Sequence, residues 1–135
     1  MAVKTYDAGQ VSVIVGTSAI KGLAEGTFVA IARDEQLYTK QVGADGEVTR
    51  AKTNNNSGTI TITVQQASDG NDILSAIANA GSVVPITVVD GSGRTVAFGE
   101  SAWVQDLPDV EFGRDAAERE WVIDVANLSL VVGGN

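Results

Sequence analysis

Histidine and cysteine are both absent from this 135-residue chain. Without histidine, the chain lacks the side chain best suited to proton transfer near neutral pH and the commonest ligand of transition metals. Without cysteine, it can form no disulfide, no thiolate metal site and no thiol nucleophile, which agrees with synthesis in a reducing compartment. We therefore expect no cofactor, no metal site and no enzyme of the common hydrolase classes. Carboxylate chemistry, a serine with a lysine base and a hard-cation site remain open.

Long apolar runs are also missing. No stretch approaches the roughly 18 consecutive apolar residues that span a membrane, and residues Met1 to Lys4 lack the apolar run of a secretion signal. We expect no membrane anchor. We also expect a single domain over residues 1–135, because the chain is long enough for one hydrophobic core but short for two.

Basic residues are scarce in the second half of the chain. Residues 1–67 carry six acidic and six basic side chains, whereas residues 68–135 carry eleven acidic and three basic ones, so the second half accounts for the entire net charge of −8. Affinity for nucleic acids comes largely from cations that displace counterions from phosphate, and an acidic surface repels phosphate. We therefore expect no tight binding of DNA or RNA.

The acidic excess is concentrated between residues 106 and 120. This stretch has only two basic residues, Arg114 and Arg119. Its six carboxylates are Asp106, Asp109, Glu111, Asp115, Glu118 and Glu120. Paired carboxylates can act as acid and base when one of them is desolvated. Pro108 and Gly113 indicate an extended, exposed segment instead, so we expect a solvated or subunit-facing acidic surface.

Alternating apolar and polar residues predict a mostly β protein. The clearest strand is 59–65, where Ile60, Ile62 and Val64 alternate with uncharged polar residues. One helix is predicted between Ser68 or Asp69, which can cap it, and Gly81, which suits a left-handed exit. Further strands are expected at 10–15 (with a short hairpin partner up to residue 22), at 27–33 with a continuation at 37–42 after an acidic kink at Asp34-Glu35, and at 83–90, 94–98, 100–105 and 120–132, the last with a break at Asn127. About seven strands and one helix indicate an all-β sandwich or barrel with a helical insert.

A long polar segment, Gly43–Gly58, separates two of these strands and includes three consecutive asparagines. We expect it to form a loop between the strands. Loops of this length in compact domains are usually either functional or disordered.

Five pieces of sequence, taken as a set, resemble phage tail tube proteins of the contractile-tailed type. They are Val42–Lys52 (VGADGEVTRAK), Asn56–Thr61 (NSGTIT), Pro108–Arg114 (PDVEFGR), Arg119-Glu120-Trp121 and Val132-Gly133-Gly134. The resemblance implies a small β barrel or sandwich that forms hexameric rings, which stack into a hollow tube inside the sheath. It implies no catalytic residues.

The same resemblance implies partners and a location. The partners would be copies of the chain itself, the tail sheath, the baseplate or tail terminator, and the tape-measure protein. DNA would pass through the tube during ejection without tight binding. The protein would be assembled in the bacterial host cytoplasm and reside in the virion tail tube.

Two sets of residues are predicted to act in such a tube. The polar segment is expected to make contacts between rings through Gly43, Ala44, Asp45, Gly46, Glu47, Arg50, Lys52, Asn54, Asn55 and Asn56. The polar faces of two strands are expected to line the lumen, because their apolar faces must pack inward. The lumen candidates are Thr59, Thr61, Thr63 and Gln65 on one strand, and Glu118, Glu120 and Asp124 on the other.

Alternative functions remain open at this point. The same architecture occurs in the inner tube of type VI secretion systems and R-type pyocins, which the sequence does not separate from a phage tail. A monomeric carbohydrate-binding sandwich would use Trp103 or Trp121 as a stacking platform, although both are expected to point into the core. A carboxylate-based enzyme is a further alternative.

Overall fold

Ten strands and one α-helix make up the computed structural model, which describes residues 3–134. Met1, Ala2 and Asn135, which belong to the expected domain of residues 1–135, lie outside the described residues. The elements are β1 (Ser12–Val15), β2 (Ser18–Ala19), β3 (Val29–Arg33), β4 (Tyr38–Val42), β5 (Val48–Lys52), β6 (Gly58–Val64), α1 (Gly70–Ala80), β7 (Val84–Val89), β8 (Val96–Val104), β9 (Arg119–Val125) and β10 (Ser129–Val131). The mostly β fold class with one helix is confirmed.

The main sheet is antiparallel and has the strand order β2-β1-β7-β8-β9-β6-β3, with β10 beside β8. The sheet curls, because the chain after β2 bonds back to the end of β6. The amide of Gln65 donates to the carbonyl of Gly22 (2.8 Å), and the amide of Ala24 donates to the carbonyl of Thr63 (3.0 Å). The concave side holds a single apolar core, which includes Val13, Val15, Ile60, Ile62, Val64, Leu74, Ile86, Trp121, Ile123 and Val125.

Strand β8 is one nine-residue strand where the sequence predicted two. Gly99 pairs with Ile86 and Ala102 pairs with Val84, so three steps along β8 match two steps along β7. This bulge inverts the alternation of β8. Ala97 and Gly99 are buried before it, Ala102 is buried after it, and Trp103 is turned outward with 38% of its surface exposed. The expectation that Trp103 points into the core is therefore wrong.

The expected loop 43–58 is also partly wrong. Val48–Lys52 forms β5, which pairs with β4 as a separate two-stranded sheet, with Val42 opposite Val48. Only residues 43–47 form a turn, in which the amide of Gly43 donates to the carbonyl of Glu47 (2.8 Å) and Gly46 has a φ of 90°. Every residue of both strands is exposed. With no buried face, β5 has no apolar alternation by which the sequence could reveal it.

Helix α1 has the boundaries expected from the sequence. The hydroxyl of Ser68 accepts a hydrogen bond from the amide of Gly70 (3.0 Å), and Gly81 ends the helix with a left-handed φ of 66°. Asp69 precedes the first helical residue, but its side chain makes no capping bond. Leu74 is completely buried, so the helix covers part of the core of the curled sheet.

The predicted turn between β7 and β8 is present at residues 90–93, where Gly93 has a φ of 71°. Asp90 organises the turn by accepting hydrogen bonds from the hydroxyl of Ser92 (2.8 Å) and the amide of Thr95 (3.3 Å). Desolvation acts to raise the pKa of Asp90, but these hydrogen bonds outweigh it and hold the pKa below the ordinary value for aspartate. The carboxylate that organises the turn therefore stays ionised at lower pH than an ordinary aspartate does.

One buried polar contact ties the helix to the sheet. The indole N–H of Trp121 on β9 donates to Oδ1 of Asn71 on α1 (3.0 Å). The Nδ2 group of Asn71 donates to the carbonyls of Gln65 and Gln66 (3.1 Å each) just after β6. Asn71 is 8% exposed and Trp121 is 2% exposed, so Trp121 is not a surface platform for a sugar ring. Buried polar atoms need such partners, because an unpaired one loses its hydration without compensation.

The contact predicts the effect of Trp121→Phe. Phenylalanine keeps most of the apolar ring but removes the donor to Asn71, whose Oδ1 is then buried without a partner. We expect the free energy of unfolding to fall by about 1–3 kcal/mol. The measurement is urea denaturation of the isolated subunit followed by circular dichroism. The matched control, Trp103→Phe, changes an exposed tryptophan and should shift stability by less than about 0.5 kcal/mol. Equal losses in the two variants would contradict the assigned role of the Trp121–Asn71 bond.

Candidate functional site: the polar sheet face and the β4–β5 hairpin

The two strand faces predicted to line a lumen form one surface. Strands β6 and β9 pair over seven residues, in a register that places Thr59 opposite Asp124 and Thr63 opposite Glu120. Their neighbours in sequence, including Ile60 and Ile123, point to the core. The sequence predicted each face separately, but it carried no signal that the two strands are adjacent.

The same face continues onto the strands on either side. On β3, Ala32 lies opposite Thr59 and Ala30 lies opposite Thr61, and on β8 Trp103 lies opposite Asp124. We call this four-stranded surface of β3, β6, β9 and β8 the polar sheet face. Its paired outward residues are Ala30, Ala32, Thr59, Thr61, Thr63, Trp103, Glu120, Val122 and Asp124. None of them is a lysine or an arginine, so any fixed charge on these positions is negative.

Gln65 and Glu118 lie at the margin of this face. Gln65 follows the last residue of β6, and its side-chain amide donates to the carbonyl of Leu23 (3.4 Å). Glu118 precedes β9 and lines a groove of about 360 Å³ together with Asp109 and Glu111. The structure therefore brings five of the seven lumen candidates into one ladder and places these two at its end.

Strand β3 lies at the edge of the main sheet and, within the described chain, pairs only with β6. Its inward residues Val29 and Ile31 are half-buried and line an open cavity of about 420 Å³, together with Val11 and Val88. An unpaired edge offers backbone N–H and C=O groups to another strand. The polar sheet face thus ends at an edge that is available for pairing.

The β4–β5 hairpin has two chemically different faces. One face carries Thr39, Gln41, Thr49 and Ala51. The other, which we call the cationic face, carries Lys40, Arg50 and Lys52 among the apolar side chains of Tyr38, Val42 and Val48. The guanidinium carbon of Arg50 lies 4.2 Å from the centre of the Tyr38 ring, a cation–π distance. A face of this composition can bind a surface that offers both carboxylates and apolar groups.

The residues predicted to make contacts between rings are spread along this hairpin. Ala44, Asp45 and Gly46 are at its tip, where Oδ1 of Asp45 accepts from the amide of Glu47 (3.2 Å). Gly43 and Glu47 close the turn, and Arg50 and Lys52 lie on β5.

The three asparagines, Asn54 to Asn56, lie at the base instead. Arg33 donates to the carbonyl of Asn55 (3.3 Å), and the carbonyl of Asn56 accepts from the amide of Leu128 (2.8 Å). They therefore fasten the hairpin to the main sheet.

Residues 106–118, which we call the acidic segment, connect β8 to β9 without regular secondary structure. Its five carboxylates are exposed, as expected from the sequence, and so are Leu107, Val110 and Phe112, the last with 79% of its surface accessible. The amide of Ala117 donates to the side chain of Gln66 (2.7 Å), which holds one end of the segment against the body. Such an open arrangement does not desolvate a carboxylate, as acid–base catalysis would need.

The described residues also bear on metals and membranes. Within residues 3–134, no group of three or more acidic side chains is arranged to hold a metal ion. None of the helices in this range is long and apolar enough to cross a membrane.

Comparison with known proteins supplies the context for these surfaces. The model of the family described as "Bacteriophage PhiTE tail tube protein" matches residues 5–133. The curated protein "Structural protein ORF10" of Pseudomonas phage KPP10 is 28% identical over 144 residues, covering 97% of this chain and 83% of that protein.

Two solved structures share the fold. A chain from the sheath/tube terminator of an extracellular contractile injection system, PVC, in the extended state has a TM-score of 0.67 at 15% identity, covering 98% of this chain and 100% of that one. A chain from the sheath-tube complex of the same system has a TM-score of 0.58 at 17% identity, covering 95% and 93% respectively. At these identities, the likeness concerns the fold alone.

The exposure of the hairpin predicts that it can be removed without unfolding the subunit. The amide of Thr53 donates to the carbonyl of Leu37 (3.0 Å), so a short Asn-Gly turn can replace residues 38–52. Since every residue of both strands is exposed and none belongs to the core, we expect the free energy of unfolding to change by less than about 1 kcal/mol. Urea denaturation of the isolated subunit tests this. Loss of the cooperative transition would contradict it.

Proposed function

We propose, from the premise that this chain belongs to the bacteriophage PhiTE tail tube protein family, that its copies form hexameric rings which stack into a hollow tube. The protein is a phage structural protein of the tail tube type. In the proposed tube, the polar sheet face lines the lumen, and residues 43–58, which comprise the hairpin turn, β5 and the base of the hairpin, contact the next ring. The tube conducts DNA and the tape-measure protein during ejection and has no catalytic role.

The observation that carries the proposal is the four-stranded polar sheet face. If six copies each contribute four strands to one closed barrel, about 24 strands spaced about 4.8 Å apart and tilted by about 40° enclose a backbone diameter of about 48 Å. Side chains narrow this opening but leave room for a DNA duplex. Threonine and alanine side chains, which cover much of the face, are small.

Ring closure also gives the edge strand a partner. In the described chain β3 pairs only with β6, and an open edge of this kind is prone to uncontrolled pairing with other chains. In a rotationally symmetric ring, β3 of each copy would pair with a strand of the next copy, so that this edge would no longer be open. The cavity beside Val29 and Ile31 would then be covered by the neighbouring subunit.

The charge of the polar sheet face suits a channel for DNA. Glu120 is exposed and Asp124 half-buried, and no cation accompanies them among the paired outward residues. Phosphates would meet neutral or negative groups and would not be held by cations. DNA could therefore pass without binding tightly.

A tube of this kind needs the partners of a contractile tail. The tail sheath would surround it, a terminator and the baseplate would close its ends, and the tape-measure protein would occupy it before ejection. Assembly would take place in the cytoplasm of the bacterial host, and the finished tube would reside in the virion.

A second candidate function is that of a tube terminator, which ends the tube as a single ring. The observation that favours it is that a sheath/tube terminator chain has the same fold over 98% of this chain, with a TM-score of 0.67. The two roles differ in copy number. A tube protein is needed in many rings per virion, whereas a terminator is needed in one.

Electron microscopy of the purified protein tests the proposal. We expect the wild-type chain to form rings and stacked tubes in negative stain, and the variant with Asn-Gly in place of residues 38–52 to form no tubes, because its contact between rings is gone. Isolated rings that never stack would favour the terminator, and featureless small particles would contradict both roles. The related tube of a type VI secretion system or R-type pyocin would be indicated by neighbouring genes that encode no capsid.

Charge reversal on the polar sheet face tests the lumen. In Glu120→Lys/Asp124→Lys, we expect tubes to assemble but DNA ejection to slow at low salt, because the cations bind passing phosphates. High salt should restore the rate. The control Asp69→Lys/Asp72→Lys makes the same change in charge at exposed positions on or beside helix α1, away from the polar sheet face. Unchanged ejection in the first variant, with intact tubes, would show that Glu120 and Asp124 face elsewhere.

A further inference from the structure

The cationic hairpin and the acidic segment leave the main sheet at opposite ends. The hairpin connects β3 to Gly58, the first residue of β6, which pairs with Val125 at the end of β9. The acidic segment leads into Arg119, the first residue of β9, which pairs with Val64 at the other end of β6. A seven-residue strand spans about 20 Å. Each of the two surfaces is therefore positioned to meet a different neighbour.

Their compositions are complementary. The cationic face carries Lys40, Arg50 and Lys52 and no carboxylate, and its Val42 and Val48 are 63% and 64% exposed. The acidic segment lines its groove with Asp109, Glu111 and Glu118. The cationic face thus combines three positive charges with exposed apolar side chains, and the acidic segment combines five carboxylates and one arginine, Arg114, with exposed apolar side chains.

The apolar groups strengthen the match. Fifteen large apolar side chains are exposed among the described residues, and six of them belong to these two surfaces: Tyr38, Val42, Val48, Leu107, Val110 and Phe112. Exposed apolar groups gathered on protrusions indicate surfaces that are covered in an assembly. Charge alone would not require this clustering.

We propose that the cationic face of the hairpin docks on the acidic segment of a second copy of this chain in the adjacent ring. The inference rests on the proposed stacking of rings and adds the identity of the partner surface. It also gives the tube a direction. Two copies that met hairpin to hairpin would bring cations together, and two that met segment to segment would bring carboxylates together, so only head-to-tail stacking satisfies both surfaces.

The individual ion pairs need not be strong. Exposed pairs are weak and are screened by salt over about 8–10 Å at physiological ionic strength, but a ring repeats the contact in every copy, so the contacts act together. The exposed apolar groups add burial that salt does not weaken. We therefore expect tube formation to depend on salt, and the dependence to vanish when the charges are removed.

Two charge-reversed variants test the pairing. Variant one carries Lys40→Glu, Arg50→Glu and Lys52→Glu, and variant two carries Asp109→Lys, Glu111→Lys and Glu118→Lys. Each alone has surfaces of like sign at both ends, so we expect the protein concentration needed for tubes to rise at least about tenfold. In an equimolar mixture, copies of the two variants can alternate along the tube, which pairs opposite charges at every junction, so the mixture should form tubes again. The readouts are the pelleted fraction and negative-stain images.

A control changes the other face of the same hairpin. Thr39→Glu, Gln41→Glu and Thr49→Glu add three negative charges, and the matched variant Lys40→Gln, Arg50→Gln and Lys52→Gln makes the same net change on the cationic face. We expect the first to assemble like the wild type and the second to assemble poorly. The inference would be overturned if these two variants assembled equally well, if both charge-reversed variants formed normal tubes, or if the mixture of the charge-reversed variants formed no tubes.

The result also separates this inference from the proposed function. If the wild-type chain forms no tubes, the stacking itself is wrong. If the wild type forms tubes and the reversed variants do so equally well, stacking stands and the hairpin contacts something else, such as a sheath subunit. Tubes from the mixture also demonstrate that both variants are folded.

Discussion

The antiparallel pairing of β6 with β9 is the interaction on which the rest of the structure depends. Because side chains alternate along a strand, the register of the β6–β9 pair determines which residues face the apolar core and which form the polar sheet face. A slip of β9 by one residue would turn Asp124 inward and Ile123 outward, and burying an unpaired carboxylate is costly. The surface proposed to line the tube is therefore as firmly specified as the hydrophobic core behind it.

The two ends of this strand pair are secured in different ways. At one end, Asn71 and Trp121 join the helix to the sheet through a buried hydrogen bond. At the other, the hairpin rejoins the sheet at Gly58, where any Cβ atom would collide with the side chain of Leu128. Leu128 lies in the break between β9 and β10 and is buried, so the break contributes a side chain to the core. Both proposed contact surfaces thus project from anchored ends.

The sequence predicted those elements in which apolar residues that face the core are patterned against polar residues that face solvent. Strand β6, helix α1 and the break at Asn127 have such patterns, and all three are present. Strand β5 was missed because both of its faces are in water, and Trp103 was misplaced because the bulge in β8 reverses the alternation. The meeting of the threonine and carboxylate faces depends on long-range pairing, which no local pattern encodes. The resemblance to tail tube proteins was confirmed by the family match over residues 5–133, while the assignment of individual residues to lumen and ring contacts stays a prediction.

The hairpin begins and ends at the hydrogen bond from the amide of Thr53 to the carbonyl of Leu37, and this arrangement has an evolutionary consequence. Because the strands beyond this bond contribute no side chain to the core, mutations there are not constrained by folding. Selection can alter the partner preference of the hairpin while the body keeps its sequence, and a compensating change in the acidic segment can follow in the same gene. Two related phages that infect one cell could in this way keep their tails from mixing, with few substitutions and no change in fold.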